Sequence, residues 1–230
     1  MRNWLIGLTA VAVIVAVLGF GLTQVARTES VTVPSPAVDA QLAPAGTPTK
    51  MAVVAGGCFW GIQAVYQHVR GVKKAVSGYA GGAENTAHYE MVGTGRTGHA
   101  ESVQVFYDPA VISYGQLLRV FFSVAHDPTT LNRQGPDEGT EYRSVVFFQD
   151  IDQEKIARAY IAQLDQAHVF RQPIVTAVTK LPAFYDAEDY HQDYATLHPR
   201  DSYIMINDAP KVANLKTLFP DLYVEPGKRR

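Results

Sequence analysis

Met51-Ala52-Val53-Val54-Ala55-Gly56-Gly57-Cys58-Phe59-Trp60-Gly61-Ile62-Gln63-Ala64-Val65-Tyr66-Gln67-His68-Val69 decides the fold. Its first five residues are an unbroken apolar run, the pattern of a strand buried on both faces. From Ile62 the apolar residues return at helical spacing, which predicts a strand over 50–55 and a helix over 58–69 with Cys58 at its start. Gly56 and Gly57 allow a tight, left-handed turn between the two. Cys58 is the sole cysteine in 230 residues. A thiol at a helix N-terminus faces unpaired N–H groups and the positive end of the dipole, so its position predicts a favoured thiolate. A lone cysteine is more often a small buried hydrophobe. The glycines, the helix start and the aromatic pair Phe59-Trp60 favour a nucleophile beside an apolar cup.

Outward from this stretch, Gly71 stops the helix and Val72–Tyr79 reads as a second strand. Residues 80–98 are glycine-rich, polar and too long for a simple connection, the mark of a functional loop. Glu101–Tyr107 alternates as a third strand and ends at Asp108-Pro109. Ser113 caps a helix whose buried face is Leu117, Leu118, Val120, Phe121 and Phe122. A loop over 126–140 precedes a fourth strand, Tyr142–Gln149. The order βαββαβ is the split βαβ or ferredoxin-like arrangement, an α+β sandwich with helices on one face of an antiparallel sheet. A helix over 152–167, a strand over Ile174–Lys180 and a tail with a short helix at Val212, Leu215, Leu218 and Phe219 form a C-terminal extension.

The N-terminus sets the compartment. No charge occurs from Asn3 to Ala26, and Trp4–Leu22 is almost wholly apolar, about the length that spans a hydrocarbon core. Residues 1–27 therefore read as a transmembrane anchor, with a cleaved signal peptide as the competing reading because Arg2 forms a short positive region. Either leaves the rest outside the cytoplasm, on the periplasmic side of the inner membrane or secreted. Residues 28–49 carry Pro34, Pro36, Pro44 and Pro48 among Ser, Thr and Ala, the composition of a flexible linker. Residues 50–230 form the globular domain, expected as a monomer. A net charge of −2 gives no argument for a nucleic-acid partner.

Several motifs compete for the chemistry. Gly93-Thr94-Gly95-Arg96-Thr97-Gly98 matches the dinucleotide fingerprint in letters but lacks the strand before and the helix after, so no nucleotide cofactor is expected. Glu101, if buried beside aromatics, would hold its proton near neutral pH and serve as a general acid. Cys58 with His99, His126 or His191 as base would make a thiol hydrolase. The histidine and carboxylates of Ala187–Asp193 could suggest a metal site, although caps and surface pairs explain them better. A binding module with Cys58 as mere packing is the remaining rival.

Seven segments together carry a family resemblance. Gly56–Gly61, Gly78-Tyr79-Ala80-Gly81-Gly82, Thr97–Glu101, His126–Thr130, Arg133–Asp137, Glu141–Ser144 and Ala187–Gln192 resemble, in order, the motifs of the A-type peptide methionine sulfoxide reductases. The likeness runs from about 50 to 200. It implies that Cys58 attacks the sulfoxide sulfur and Glu101 protonates the oxygen. It further implies that Tyr89 and Tyr142 hydrogen-bond that oxygen, Asp137 positions the substrate backbone or a water, and Phe59 and Trp60 hold the substrate methyl. Methionine S-sulfoxide, free or in oxidised proteins, would be the substrate, with no metal or other cofactor. Many relatives resolve the resulting sulfenic acid with further cysteines. This sequence has none, so an external thiol, thioredoxin-like or small, is expected to recycle Cys58.

Overall fold

A computed structural model describes residues 30–226. The anchor or signal helix expected over 1–27 lies outside the described residues. Among the described residues no helix is long and apolar enough to cross a membrane.

The chain runs β1 (Lys50–Ala55), α1 (Phe59–Gln67), β2 (Val72–Ala80), α2 (Tyr89–Val92) and β3 (Ala100–Tyr107). It continues through α3 (Tyr114–Val120), the two-residue strands β4 (Arg133–Gln134) and β5 (Asp137–Glu138), β6 (Val145–Phe148) and α4 (Ile151–Gln166). β7 (Ala177–Lys180), β8 (Phe184–Asp186), α5 (Tyr194–Leu197) and α6 (Ala209–Leu218) complete it. The main sheet has the order β7-β6-β1-β3-β2-β8. Its four central strands pair antiparallel, β7 joins β6 in parallel, and β8 borders β2. The fold is α+β.

β1 is central, which explains its continuous apolar run. Its Ala52 and Val54 face the helices, where they meet Val103 and Val105 of β3, Ile62 and Val65 of α1, and Leu117 and Leu118 of α3. Val53 and Ala55 face the other way, into a smaller cluster with Ala100, Val145 and Phe147 under Leu181 and Phe184. In α3, Ser113 accepts from the Gln116 N–H while the Gln116 side chain accepts from the Ser113 N–H. That capping box fixes the helix start.

Three expectations change. Tyr142 does not open the fourth strand: it closes a single 3-10 turn, Thr140–Tyr142, and β6 begins at Val145. The Arg143 guanidinium donates to the Gly98, His99 and Thr140 carbonyls, which holds this turn out of the ladder. β7 starts at Ala177, later than the apolar pattern from Ile174 suggested. Residues 30–49, expected as a flexible linker, are laid along α3 and α4. Val33 is fully buried, Tyr160 Oη donates to Pro34 O, and Asp39 accepts from Ser113 Oγ and the Gly115 N–H. Composition gave no sign of this strap because one buried valine and separate hydrogen bonds, and no periodic face, hold it.

Candidate active site

Cys58 is the N-cap residue of α1, where the backbone leaves β1 through Gly56 and Gly57. Gly57 has φ +101°, and a Cβ there would meet the Gln134 side chain at 2.7 Å. A Cβ at Gly56 would lie 2.8 Å from the His126 ring. The turn therefore fits only because both side chains are absent. Behind it, His126 Nε2 bonds Ser144 Oγ at 2.7 Å, and the ring stacks on Phe121 at 3.9 Å. Burial lowers the His126 pKa to about 3, so the ring is a neutral wedge.

Glu101 enters from β3. The Phe59 N–H, in the first turn of α1, donates to its Oε2 at 3.0 Å, and its side chain is buried. Burial pushes the Glu101 pKa up to about 8; the Phe59 hydrogen bond opposes this, and Asp137, Glu141 and Asp208 add to it. The carboxyl thus keeps its proton at neutral pH, as the residue pattern suggested for a buried Glu101. The expectation for Cys58 is overturned. Burial, then the charges of Glu101 and Asp208, push the thiol well above its usual value, against the Trp60 N–H and Lys211. A helix N-terminus favours a thiolate only while solvent or a cation supports the charge, and this sulfur is 7% exposed. Burial thus favours the thiol form of Cys58.

Tyr89 and Tyr142 both face this pair: Glu101 and Cys58 each hold the two phenols toward their neutral forms, after burial itself. Glu188 pins the first of them, accepting from the Tyr89 N–H at 2.9 Å and from Tyr79 Oη at 2.8 Å. Asp137 stands on the short β5 strand and accepts from Tyr203 Oη. Burial raises its pKa too. Phe59 is buried against Tyr79 and His191, whereas Trp60 remains half-buried and stacks on Tyr194 at 3.9 Å, with Tyr203 edge-on at 5.9 Å. The structure therefore gathers Cys58, Glu101, Tyr89, Tyr142, Asp137, Phe59 and Trp60 at one place.

His191, weighed as a base from the sequence, completes the walls together with Tyr194, Tyr203, Asp208 and Lys211, which the sequence did not single out. His191 Nδ1 accepts from Trp60 Nε1 at 3.2 Å, while its Nε2 has no hydrogen-bond partner among the described residues. Tyr194, Tyr203, Asp208 and Lys211 lie in the C-terminal extension, on or beside short helical segments whose apolar spacing does not mark the face turned to the site. Among the described residues no histidine hydrogen-bonds Cys58: His99 accepts from the Gly82 N–H and bonds Ala83 O, and His126 is turned to Ser144. The hydrolase reading lacks its base. Among the described residues no group of three or more His, Cys, Asp or Glu side chains is placed to hold a metal.

A buried thiol whose neighbouring carboxyl is still protonated, walled by phenols and an indole, defines a thiol enzyme suited to an uncharged, oxygen-bearing substrate. The comparisons give that class its family. The family model for peptide methionine sulfoxide reductase matches residues 50–222, and the chain belongs to this family. It is similar to peptide methionine sulfoxide reductase MsrA 2 of Mesorhizobium japonicum, 61% identical over 77% of this chain and 91% of the relative. Among solved structures it resembles reduced Mxr1 of Saccharomyces cerevisiae, with 35% identity, a TM-score of 0.60, and coverage of 70% of this chain and 91% of the other. It also resembles methionine sulfoxide reductase A of Corynebacterium diphtheriae, with 34% identity, a TM-score of 0.57, and coverage of 74% and 85%.

Proposed function

We propose that this chain reduces methionine S-sulfoxide, free or within oxidised proteins, to methionine. The observation that carries the mechanism is the 3.0 Å bond from the Phe59 N–H to Glu101, which ties a protonated acid to the residue beside the nucleophile. In the reaction the Cys58 sulfur bonds to the sulfoxide sulfur while Glu101 gives its proton to the sulfoxide oxygen. Tyr89 and Tyr142 donate to that oxygen as its charge grows; neutral donors in a dry site suit this task. The Glu101 carboxylate left behind accepts the thiol's proton. Transfer of oxygen to Cys58 then releases methionine and leaves a sulfenic acid. Phe59 and Trp60 hold the methyl group, and Asp137 orients the substrate backbone or a water.

The two electrons come from sulfur, so neither metal nor nucleotide is required. One cysteine per chain means that the sulfenic acid meets a thiol from outside: two external thiols return Cys58 and leave as a disulfide with one water. A thioredoxin-like protein or a small thiol fills that role, and a monomer carries every residue named. The apolar run Trp4–Leu22 supports an anchored enzyme on the periplasmic side, or a secreted one if that run is cleaved. The strand order of the central sheet supports the ferredoxin-like assignment.

Full-length protein given excess methionine S-sulfoxide without reductant should release about one equivalent of methionine per chain and leave a trappable sulfenic acid, since it has one thiol to oxidise. The R epimer should release none. Absence of methionine from the S epimer would overturn the reading.

A further inference from the structure

Tyr89 is the first residue of α2, a four-residue helix with Val92 as its one buried residue and no side-chain cap from His88 at its start. A single helical turn does not hold itself, because nucleation costs more than one turn returns. What fixes its first residue comes from a distant part of the chain. Glu188 follows β8 and opens the 3-10 turn Asp189–His191. Its Oε1 accepts from the Tyr89 N–H at 2.9 Å, and its Oε2 accepts from Tyr79 Oη at 2.8 Å. Tyr79 is fully buried in the middle of the sheet, where its backbone lies opposite Glu101 of β3 on one side and Tyr185 of β8 on the other. One carboxylate therefore braces α2 against a part of the sheet that cannot shift. The turn it opens carries His191, whose ring lies 4.5 Å from the Tyr89 ring and 5.0 Å from that of Phe59. Tyr142 has separate support, since Arg143 ties its turn to the Gly98 and His99 carbonyls.

The inference rests on the reading of Tyr89 as a donor to the sulfoxide oxygen. We propose that Glu188 is a positioning residue for the reduction, which holds the Tyr89 phenol in place through the strut Tyr79–Glu188–Tyr89. A donor that meets developing charge is effective only if it is already in position. A misplacement of about 1 Å can cost on the order of 10²-fold in rate. A helix turn pinned by one valine would let the phenol drift by that much once the strut is gone. Glu188 touches neither Cys58 nor Glu101 in the hydrogen bonds it makes, so its effect has to pass through Tyr89.

The test is a double-mutant cycle read by single-turnover methionine formation from methionine S-sulfoxide on the full chain. Glu188→Ala should lower the limiting rate by about tenfold to 10²-fold. The half-saturating concentration should stay near that of the wild type, because the phenol's bond to oxygen strengthens in the transition state. In a Tyr89→Phe background the same change should cost little more, the signature of two residues acting as one unit. Glu188→Gln should restore most of the rate, since its amide can accept from the Tyr89 N–H and donate to Tyr79 Oη without the charge. Glu188→Leu keeps the side-chain bulk and takes the place of Glu188→Ala if that chain lacks the native circular dichroism. A wild-type rate in the folded variant, or in Tyr89→Phe, overturns the proposal. So does an undiminished loss in the Tyr89→Phe background, or a Glu188→Gln rate as low as that of Glu188→Ala. Failure of the reductase reading would look different: the wild-type chain would form no methionine at all.

Discussion

In the proposed mechanism the side chain that sets the pH range is Glu101. With its pKa at about 8, the acid form that the reaction uses predominates below that pH and is depleted about tenfold per unit above it. Single-turnover methionine formation should therefore be flat from pH 6 to 7.5 and fall above pH 8. Glu101→Gln should lower the rate on the order of 10²-fold or more and remove the fall, since general acid catalysis is worth about that much. An unchanged rate in the variant would remove Glu101 from the mechanism. Cys58 and Glu101 were both legible in the sequence, one from its place at a helix start and one from its place at a strand entry. The state of the thiol was not. Ionisation depends on what is packed over the sulfur, and Asp208 lies 150 residues further along the chain, on an element with no readable period.

At the scale of elements, the strap over residues 30–49 does work that neither the family model's range nor composition suggests. Val33 is fully buried, its carbonyl accepts from Arg119 Nε at 3.0 Å, and Asp39 satisfies donors at the start of α3. Burying a valine contributes about 1.5–3 kcal/mol, and a capping interaction about 1 kcal/mol. Deleting residues 1–49 should therefore cost about 3–4 kcal/mol and lower Tm by roughly 10 °C, at about 2–4 °C per kcal/mol for a chain of this size. Thermal denaturation of that form against one beginning at Ser30 measures it, and equal Tm values would show that the strap is passive. The single-turnover yield should stay at about one equivalent in both, because the strap lies on α3 and α4 and touches no proposed catalytic group. The amphipathic elements were readable because each shows a face to the core; β8 and the strap were not, because three paired residues at a sheet edge and one buried valine are too short a pattern to show a period.

For the whole molecule, the decisive matter is whether the tail is an arm or a wall. Residues 203–218 could have been a mobile segment that opens to admit the recycling thiol. Their contacts say otherwise: Leu215 is fully buried in the main core beside Ile62 and Val65, and Tyr203 bonds Asp137 across the site. The Asp208–Lys211 pair rests on α1 as well. Opening this segment would uncover Leu215 and Phe219 and break a buried ion pair, so its opening free energy should approach that of global unfolding. Tyr89, 38% exposed, then marks the side of the site that solvent reaches while this wall stays in place. Native-state hydrogen exchange tests this directly. Amides of α6 should exchange as slowly as those of α1 and β1, and oxidation of Cys58 to the sulfenic acid should not speed them. Fast exchange in α6 that accelerates on oxidation would mean that the wall swings open each cycle, and recycling would have to be rebuilt around a moving tail.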